Sequence, residues 1–82
     1  MVEEQVKDII EQLSELLDDN TVPRNVKGKI QDIINSLNED AELSLKVNKA
    51  LNILDEISDD NNIQPYTRTQ IWNFVSMLEA LG

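Results

Sequence analysis

Apolar residues recur every three or four positions along four segments of the chain, which predicts four amphipathic helices and no strand. The predicted helices cover approximately residues 2–17, 24–37, 45–58 and 65–81. Ser44 is the best N-cap for the third helix, although Asp40 could cap a slightly longer one. The inward stripes are Val2, Val6, Ile9, Ile10, Leu13, Leu16 and Leu17; Val26, Ile30, Ile33, Ile34 and Leu37; Val47, Ala50, Leu51, Leu54 and Ile57; and Ile71, Phe74, Val75, Leu78 and Leu81.

The connections between these segments carry signals for helix starts. Asn20 or Thr21 can accept from the free amides of the second helix, and Pro23 suits the first turn of that helix. Pro65 likewise suits the start of the fourth helix. Gly28 lies inside the second helix, where it costs ~1 kcal/mol relative to Ala. It either lets a neighbouring backbone approach closely or is simply tolerated.

The two halves of the chain resemble each other at an offset of 41 residues, the distance from Asp18 to Asp59. The identical pairs are Val6/Val47, Leu13/Leu54, Glu15/Glu56, Asp18/Asp59, Asp19/Asp60, Asn20/Asn61, Ile30/Ile71 and Leu37/Leu78. Helical-hairpin solenoids have a period near 40 but need about three copies to bury a core. Two hairpins can instead close on each other. We therefore predict an all-α four-helix bundle in a single domain over 1–82, built from hairpin one (1–41) and hairpin two (42–82).

The composition removes most of the chemistry that enzymes and metal sites use. The chain contains no Cys and no His, so thiolate ligands, disulfides and the commonest general base are absent. Carboxylates are plentiful, but each run falls on a turn or a polar helix face, with no buried and spaced pair for acid–base work. We predict no enzyme activity, no catalytic residue, no cofactor and no small-molecule substrate.

Charge and hydropathy bear on partners and location. The net charge of −9 argues against binding to nucleic acid or to anionic membrane, because both depend on excess Lys and Arg. It suits a basic partner, or it keeps a small acidic protein in solution. Glu3, Glu4 and Lys7 interrupt any signal-like run, and no stretch reaches the 18 apolar residues of a membrane span. The expected location is the cytoplasm.

The acidic turns are the candidate for a cation site. If the first and third connections lie at one end of a bundle, Asp18, Asp19, Asp59 and Asp60 could converge as oxygen ligands for Ca²⁺ or Mg²⁺. The calcium-loop template fails, because Gln70 stands where a bidentate Glu is required. The simpler interpretation is that these residues end one helix and cap the next, so no metal ligand is predicted.

Three segments resemble a small family of uncharacterised archaeal proteins, and they occur in the order found in that family. They are Val22-Pro23-Arg24-Asn25-Val26, Ile53-Leu54-Asp55-Glu56-Ile57-Ser58 and Thr67-Arg68-Thr69-Gln70-Ile71-Trp72-Asn73. The resemblance covers essentially the whole chain and implies a compact domain of four helices. It implies no activity, and it transfers no functional residue.

Differences between the two halves indicate where a working surface could lie. At the pairs Gln12/Ile53, Asn25/Tyr66, Gln31/Trp72 and Ser36/Met77, a polar residue in hairpin one is replaced by an apolar or aromatic one in hairpin two. At 100° per residue, Trp72 falls about 120° from the centre of the fourth stripe, and Tyr66 and Met77 share the opposite flank. We predict Ile53, Tyr66, Trp72 and Met77 as a candidate interface, with core edge as the competing interpretation.

Two hypotheses about function follow. The first is a small protein–protein interaction module or self-associating bundle, with a protein partner or a second copy of the chain. The alternative is an acidic accessory protein associated with divalent cations or with a ribonucleoprotein, acting through the acidic turns or the basic helix starts. The sequence alone names no partner.

Overall fold

Within the part of the chain that the structure describes, all regular secondary structure is helical. The structure is a computed structural model that describes residues 2–81, with side chains over 3–81. Its elements are α1 Val2–Leu17, α2 Arg24–Leu37, α3 Leu43–Ser58 and α4 Pro65–Leu81, and no strand occurs within 2–81. The prediction of an all-helical chain with four helices is confirmed. The predicted inward side chain of Val2 and the chain end at Gly82 lie outside the described residues.

The helices pack in chain order, each against the next. α2 and α3 share the most extensive contact, α1 packs on α2, and α3 packs on α4. α1 and α4 meet only along a thin contact, which leaves the α1–α4 seam as the least closed line of packing. The flanks of α4 are therefore covered less completely than those of α2.

The core consists almost entirely of aliphatic side chains from all four helices. The buried apolar residues are Val6, Ile9, Leu13, Leu16, Val22, Val26, Ile30, Ile33, Ile34, Leu37, Val47, Ala50, Leu54, Ile57, Ile63, Ile71, Phe74 and Leu78. Val22 lies in the turn between α1 and α2, and Ile63 lies in the turn between α3 and α4. Each of these two turns therefore packs against the core through one buried side chain. Burying a side chain of this size stabilises the fold by roughly 1.5–3 kcal/mol.

The predicted cap of α2 is wrong. The residue in the N-cap position is Pro23, and it makes no side-chain cap. Thr21 instead donates its backbone N–H and its hydroxyl to Asp19 Oδ1, at 2.8 and 2.7 Å. The Thr21 hydroxyl thus acts as a donor within the turn, and within residues 3–81 no amide of α2 donates to its oxygen. Lys27 N–H bonds to the Pro23 carbonyl at 3.0 Å, which begins the helical ladder.

The predicted N-cap of α3 is also wrong, because the helix begins earlier than Ser44. Glu42 occupies the N-cap position without a side-chain cap. Its carbonyl accepts from the N–H groups of Leu45 and Lys46, both at 3.1 Å, so Ser44 already lies in the first turn. The earlier start lets Leu43 pack against the core, where it is partly buried. That burial outweighs the preference of a serine for the cap position.

Gly28 does not mark a close approach between helices. A Cβ built at this position would meet no atom within 4 Å. Of the two interpretations, the structure favours the second: the glycine is tolerated on the exposed side of α2.

Two aspartates organise the turns between paired helices. In the second turn, Asp60 Oδ1 accepts from Asn62 N–H at 2.8 Å and Oδ2 accepts from Asn25 Nδ2 at 2.9 Å. Those two bonds lower the pKa of Asp60 below its ordinary value, with the Asn62 N–H contributing most. The Thr21 hydroxyl and N–H likewise lower the pKa of Asp19. The folded state therefore favours both carboxylates in their charged form.

Leu54→Ala should strongly destabilise the protein. Leu54 is fully buried, and its truncation should cost about 2–5 kcal/mol of unfolding free energy through reduced burial and the remaining cavity. Urea denaturation followed by circular dichroism measures this. Leu45→Ala is the matched control: Leu45 lies on the same helix but is 61% exposed, so its effect should stay within about 0.5 kcal/mol. Equal losses of stability in the two variants would contradict the assignment of Leu54 to the core.

The turn aspartates should make stability depend on acid pH. Because the pKa of Asp60 is lowered in the folded state, its contribution is present above the ordinary pKa of about 4 and is lost as pH falls through the lowered value. At about pH 6, Asp60→Asn should melt below the unsubstituted protein, and the gap should close towards about pH 2. Asp40→Asn, at an exposed turn position, is the control. A gap that stays constant with pH would count against the Asp60 contacts.

Candidate protein-binding surface

Helix α4 presents side chains in three directions. Ile71, Phe74 and Leu78 face the core and are buried. Trp72 lies on one flank, whereas Tyr66 and Met77 lie about 20° apart on the other, roughly 120° and 140° from Trp72. Each flank faces a different neighbouring helix. The candidate surface is therefore best described as two separate grooves along α4.

The first groove lies between α3 and α4 and is called here the Trp72 groove. It encloses about 430 Å³ and is lined by Leu51, Asn52, Leu54, Asp55, Ser58, Trp72, Val75 and Glu79. Leu51, Leu54 and Val75 give it an apolar floor. The Trp72 indole forms a wall and is 60% exposed. An apolar floor beside an accessible indole is an arrangement that suits a protein contact.

Arg68 fixes the position of this groove. Its Nη1 donates to the Ser58 carbonyl at 2.6 Å and its Nη2 donates to the Asp60 carbonyl at 2.9 Å. These bonds satisfy carbonyl groups at the C-terminal end of α3, which have no partner within the helix. They also join the first turn of α4 to the last turn of α3. Trp72 is one turn further along α4 and lines the groove together with Ser58.

The rim of the Trp72 groove is acidic. Asp55 and Glu79 are exposed, and neither makes an ion pair with any residue that the structure describes. The ion pairs within 3–81 are elsewhere: Lys49 with Glu39 at 3.2 Å and Lys29 with Glu56 at 3.8 Å. Both join α3 to α2 or its following turn, away from α4. The two rim carboxylates keep their negative charge available at the groove.

The second groove follows the α1–α4 seam and consists of two adjoining clefts that share Gln12. One encloses about 260 Å³ and includes Tyr66 and Gln70, and the other encloses about 290 Å³ and includes Met77. Tyr66 is 71% exposed, whereas Met77 is partly buried against the core. Gln70 donates to the Tyr66 hydroxyl at 3.4 Å, and its own Oε1 is buried without a described partner.

Ile53 lies on neither groove. It is partly buried against the core, and it sits about 160° around α3 from Leu51, which lines the Trp72 groove. Its neighbours along that face, Lys49 and Glu56, contact α2 or the turn after it. The structure therefore brings Tyr66 and Met77 to one seam, places Trp72 on another, and leaves Ile53 near α2. The four candidates do not form one patch.

Three surface residues escaped the sequence comparison. Leu45 is 61% exposed on α3, and its counterpart at the 41-residue offset is Glu4, so the same comparison could have found it. Asp55 and Glu79 stand opposite Ser14 and Asn38 at that offset. The comparison considered only gains of apolar character and so passed over gains of charge.

The acidic turns do not assemble a cation site within the described residues. No group of three or more carboxylates over 3–81 is placed to hold a metal ion. Asp19 and Asp60 direct their oxygens to groups of their own turns and to Asn25 instead. Their role is to shape the connections. Also within residues 2–81, no helix has both the length and the apolar content that a membrane crossing requires.

Comparison with known proteins agrees with the fold and adds no activity. The chain is 36% identical over 82 residues to a UPF0147 protein of Archaeoglobus fulgidus, covering 100% of this chain and 94% of the other. A UPF0147 protein of Methanocaldococcus jannaschii is 42% identical over 80 residues, covering 96% and 86% of the two chains. The crystal structure of a protein from this uncharacterised family from Thermoplasma acidophilum superposes with a TM-score of 0.91 at 33% identity, covering 98% and 95%. The model of the uncharacterised protein family UPF0147 matches residues 1–81, and the chain belongs to that family.

Proposed function

We propose that this protein is a non-catalytic interaction module of the cytoplasm that contacts another protein through the Trp72 groove. The observation that carries the proposal is the 60% exposure of Trp72 beside a groove of about 430 Å³ that has aliphatic residues in its lining. A tryptophan in such a position is removed from water when a partner covers it, and that removal favours association. Tryptophan is also among the residues that most often dominate binding energy at protein interfaces.

We further propose that the four helices form a bundle of two tandem copies of one hairpin. In support, α1 and α3 begin and end 41 residues apart, and α2 and α4 begin 41 residues apart. The bond from the N–H of Thr21 to Asp19 has its counterpart in the bond from Asn62 to Asp60. Buried residues also correspond at this offset: Val6/Val47, Ile9/Ala50, Leu13/Leu54, Leu16/Ile57, Val22/Ile63, Val26/Thr67, Ile30/Ile71, Ile33/Phe74 and Leu37/Leu78.

On this proposal, hairpin one serves as an internal control for hairpin two. Packing demands between the two helices of one hairpin are alike at corresponding positions, so a difference at an exposed position beside that contact has another origin. Gln31 is exposed on α2 where hairpin two carries the exposed Trp72. A hairpin of this shape therefore folds with glutamine at that position. The indole is an addition that packing does not require.

Trp72→Gln should remove the interaction and leave the fold intact. The variant should keep its helical circular dichroism and its melting temperature, because the exposed indole contributes little to the core. It should lose the partner that the full chain retains from an extract of its native cells, or lose its own dimer in sedimentation. Partner loss without loss of stability is the result that supports the proposal.

Tyr66→Asn is the matched control. It also introduces the residue of hairpin one, at an exposed aromatic position on the other flank of α4. Its partner binding should equal that of the unsubstituted chain. If Tyr66→Asn loses the partner while Trp72→Gln keeps it, the working surface is the α1–α4 seam and the proposal for the Trp72 groove is wrong. A large loss of stability in Trp72→Gln, in a protein that is monomeric throughout, means that Trp72 only supports the core.

A further inference from the structure

The chemistry of the Trp72 groove also indicates what kind of partner it fits. Resting on the proposed function, we infer that the groove takes a cationic amphipathic helix of another protein. Its apolar side chains would lie on the partly exposed floor residues Leu51 and Val75, and its Lys or Arg side chains would reach Asp55 and Glu79 at the rim. The inference is carried by charge, by comparison between the two hairpins and by the shape of the groove.

Charge is the first argument. The groove places one carboxylate on each of its two helices, Asp55 on α3 and Glu79 on α4, and its lining contains no Lys or Arg. The Arg68 guanidinium keeps its positive charge, but its bonds to the carbonyls of Ser58 and Asp60 hold it at one end of the groove. A cation on the partner would meet two carboxylates that form no ion pair within residues 3–81. The face of the Trp72 indole attracts a cationic group as well.

Comparison of the hairpins is the second argument. At the 41-residue offset, the floor residues correspond to Ile10, Leu13 and Ile34, which are aliphatic too. The acidic and aromatic residues do not correspond: hairpin one has Ser14 for Asp55, Asn38 for Glu79 and Gln31 for Trp72. Both hairpins have aliphatic residues at the floor positions, because packing between the two helices requires them there. The indole and both carboxylates are found only in hairpin two, at exposed positions of one groove.

Shape is the third argument. The lining residues of α3 and of α4 each recur at intervals of three or four positions, from Leu51 to Ser58 and from Trp72 to Glu79. Each set spans two helical turns, about 10 Å. A groove of this length between two packed helices accepts one face of a third helix, with anchors spaced by three, four and seven residues. The Arg68 clamp holds the two walls together at one end.

A second copy of this chain is a poorer occupant. Each copy carries a net charge of −9, and each would bring its own acidic faces to the acidic rim. Like charges facing each other across an interface oppose association and slow the encounter. A cationic helix gains from the same field. The charge that opposes self-association therefore favours a basic partner.

A pair of designed peptides provides the probe. An amphipathic peptide of about 18 residues made of Leu and Lys should bind the full-length protein, whereas the same peptide with Glu in place of Lys should not. Trp72 is the only tryptophan, so a blue shift of indole emission reports that the peptide covers the groove itself. Isothermal titration calorimetry gives the affinity. Absence of binding by the Leu/Lys peptide, or binding without a blue shift, overturns the inference.

Exchanging the rim residues for those of hairpin one tests the carboxylates. The double variant Asp55→Ser/Glu79→Asn should weaken Leu/Lys peptide binding by about three- to tenfold, because the lysines of the peptide then meet no carboxylate at the rim. The matched control is Glu4→Gln/Glu11→Gln, which also removes two negative charges, but at exposed positions on α1. Its affinity should stay close to that of the unsubstituted protein. An equal loss of affinity in the control means that net charge alone attracts the peptide, and the inference is then wrong.

The native partner separates failure of the inference from failure of the proposed function. If Trp72→Gln loses that partner and Asp55→Ser/Glu79→Asn keeps it, the groove binds a protein without using its carboxylates. The inference then fails and the proposed function stands. If Trp72→Gln keeps the partner, the proposed function fails whatever the peptides do. A dimer of the purified protein that Trp72→Gln dissociates assigns the groove to a second copy and overturns the cationic helix.

Discussion

Burial of one aliphatic core is the interaction on which the rest of this structure depends. The chain has no cysteine to form a disulfide, and its ion pairs within 3–81 join exposed side chains, each stabilising by about 0–1 kcal/mol at most. The starts of α2 and α3 lack side-chain caps. Little besides the apolar stripes remains to hold the helices against the entropy of the unfolded chain. The stripes therefore decide where each helix begins, which face turns inward and which positions stay free for other uses.

The dominance of the core explains how much the sequence could predict. Helix bounds follow from the apolar period, and the predicted starts of α2 at Arg24 and of α4 at Pro65 are right. The predicted start of α3 and the predicted caps are wrong. Ser44 is a good cap by composition, but burial of Leu43 starts α3 earlier. Thr21 is another good cap by composition, but its hydroxyl bonds to Asp19 within the turn and accepts from no amide of α2. Such competition depends on neighbours in space, which local preference does not contain.

The grooves were harder to predict than the helices for a related reason. Comparing the two halves identified Trp72, Tyr66 and Met77, and the helical angle separated them correctly into two flanks of α4. It did not show which helix each flank faces, because that depends on the packing order of all four. The acidic rim was missed because the meaning of Asp55 depends on Glu79, 24 positions away on another helix. One exposed acidic residue does not predict an acidic rim, because the rim also requires a second acidic residue on the other helix of the groove.

The same core also prepares the groove for a partner. The floor residue Leu54 is fully buried, and Arg68 ties the end of α3 to the start of α4. Neither wall needs to become ordered when a helix enters, so binding is spared much of the conformational entropy that flexible surfaces lose. On the proposed function, the apolar floor and the Trp72 indole supply most of the affinity. The carboxylates of Asp55 and Glu79 contribute more to the choice of partner and to the rate of association, because exposed charges at the rim of an interface affect these more than they affect affinity.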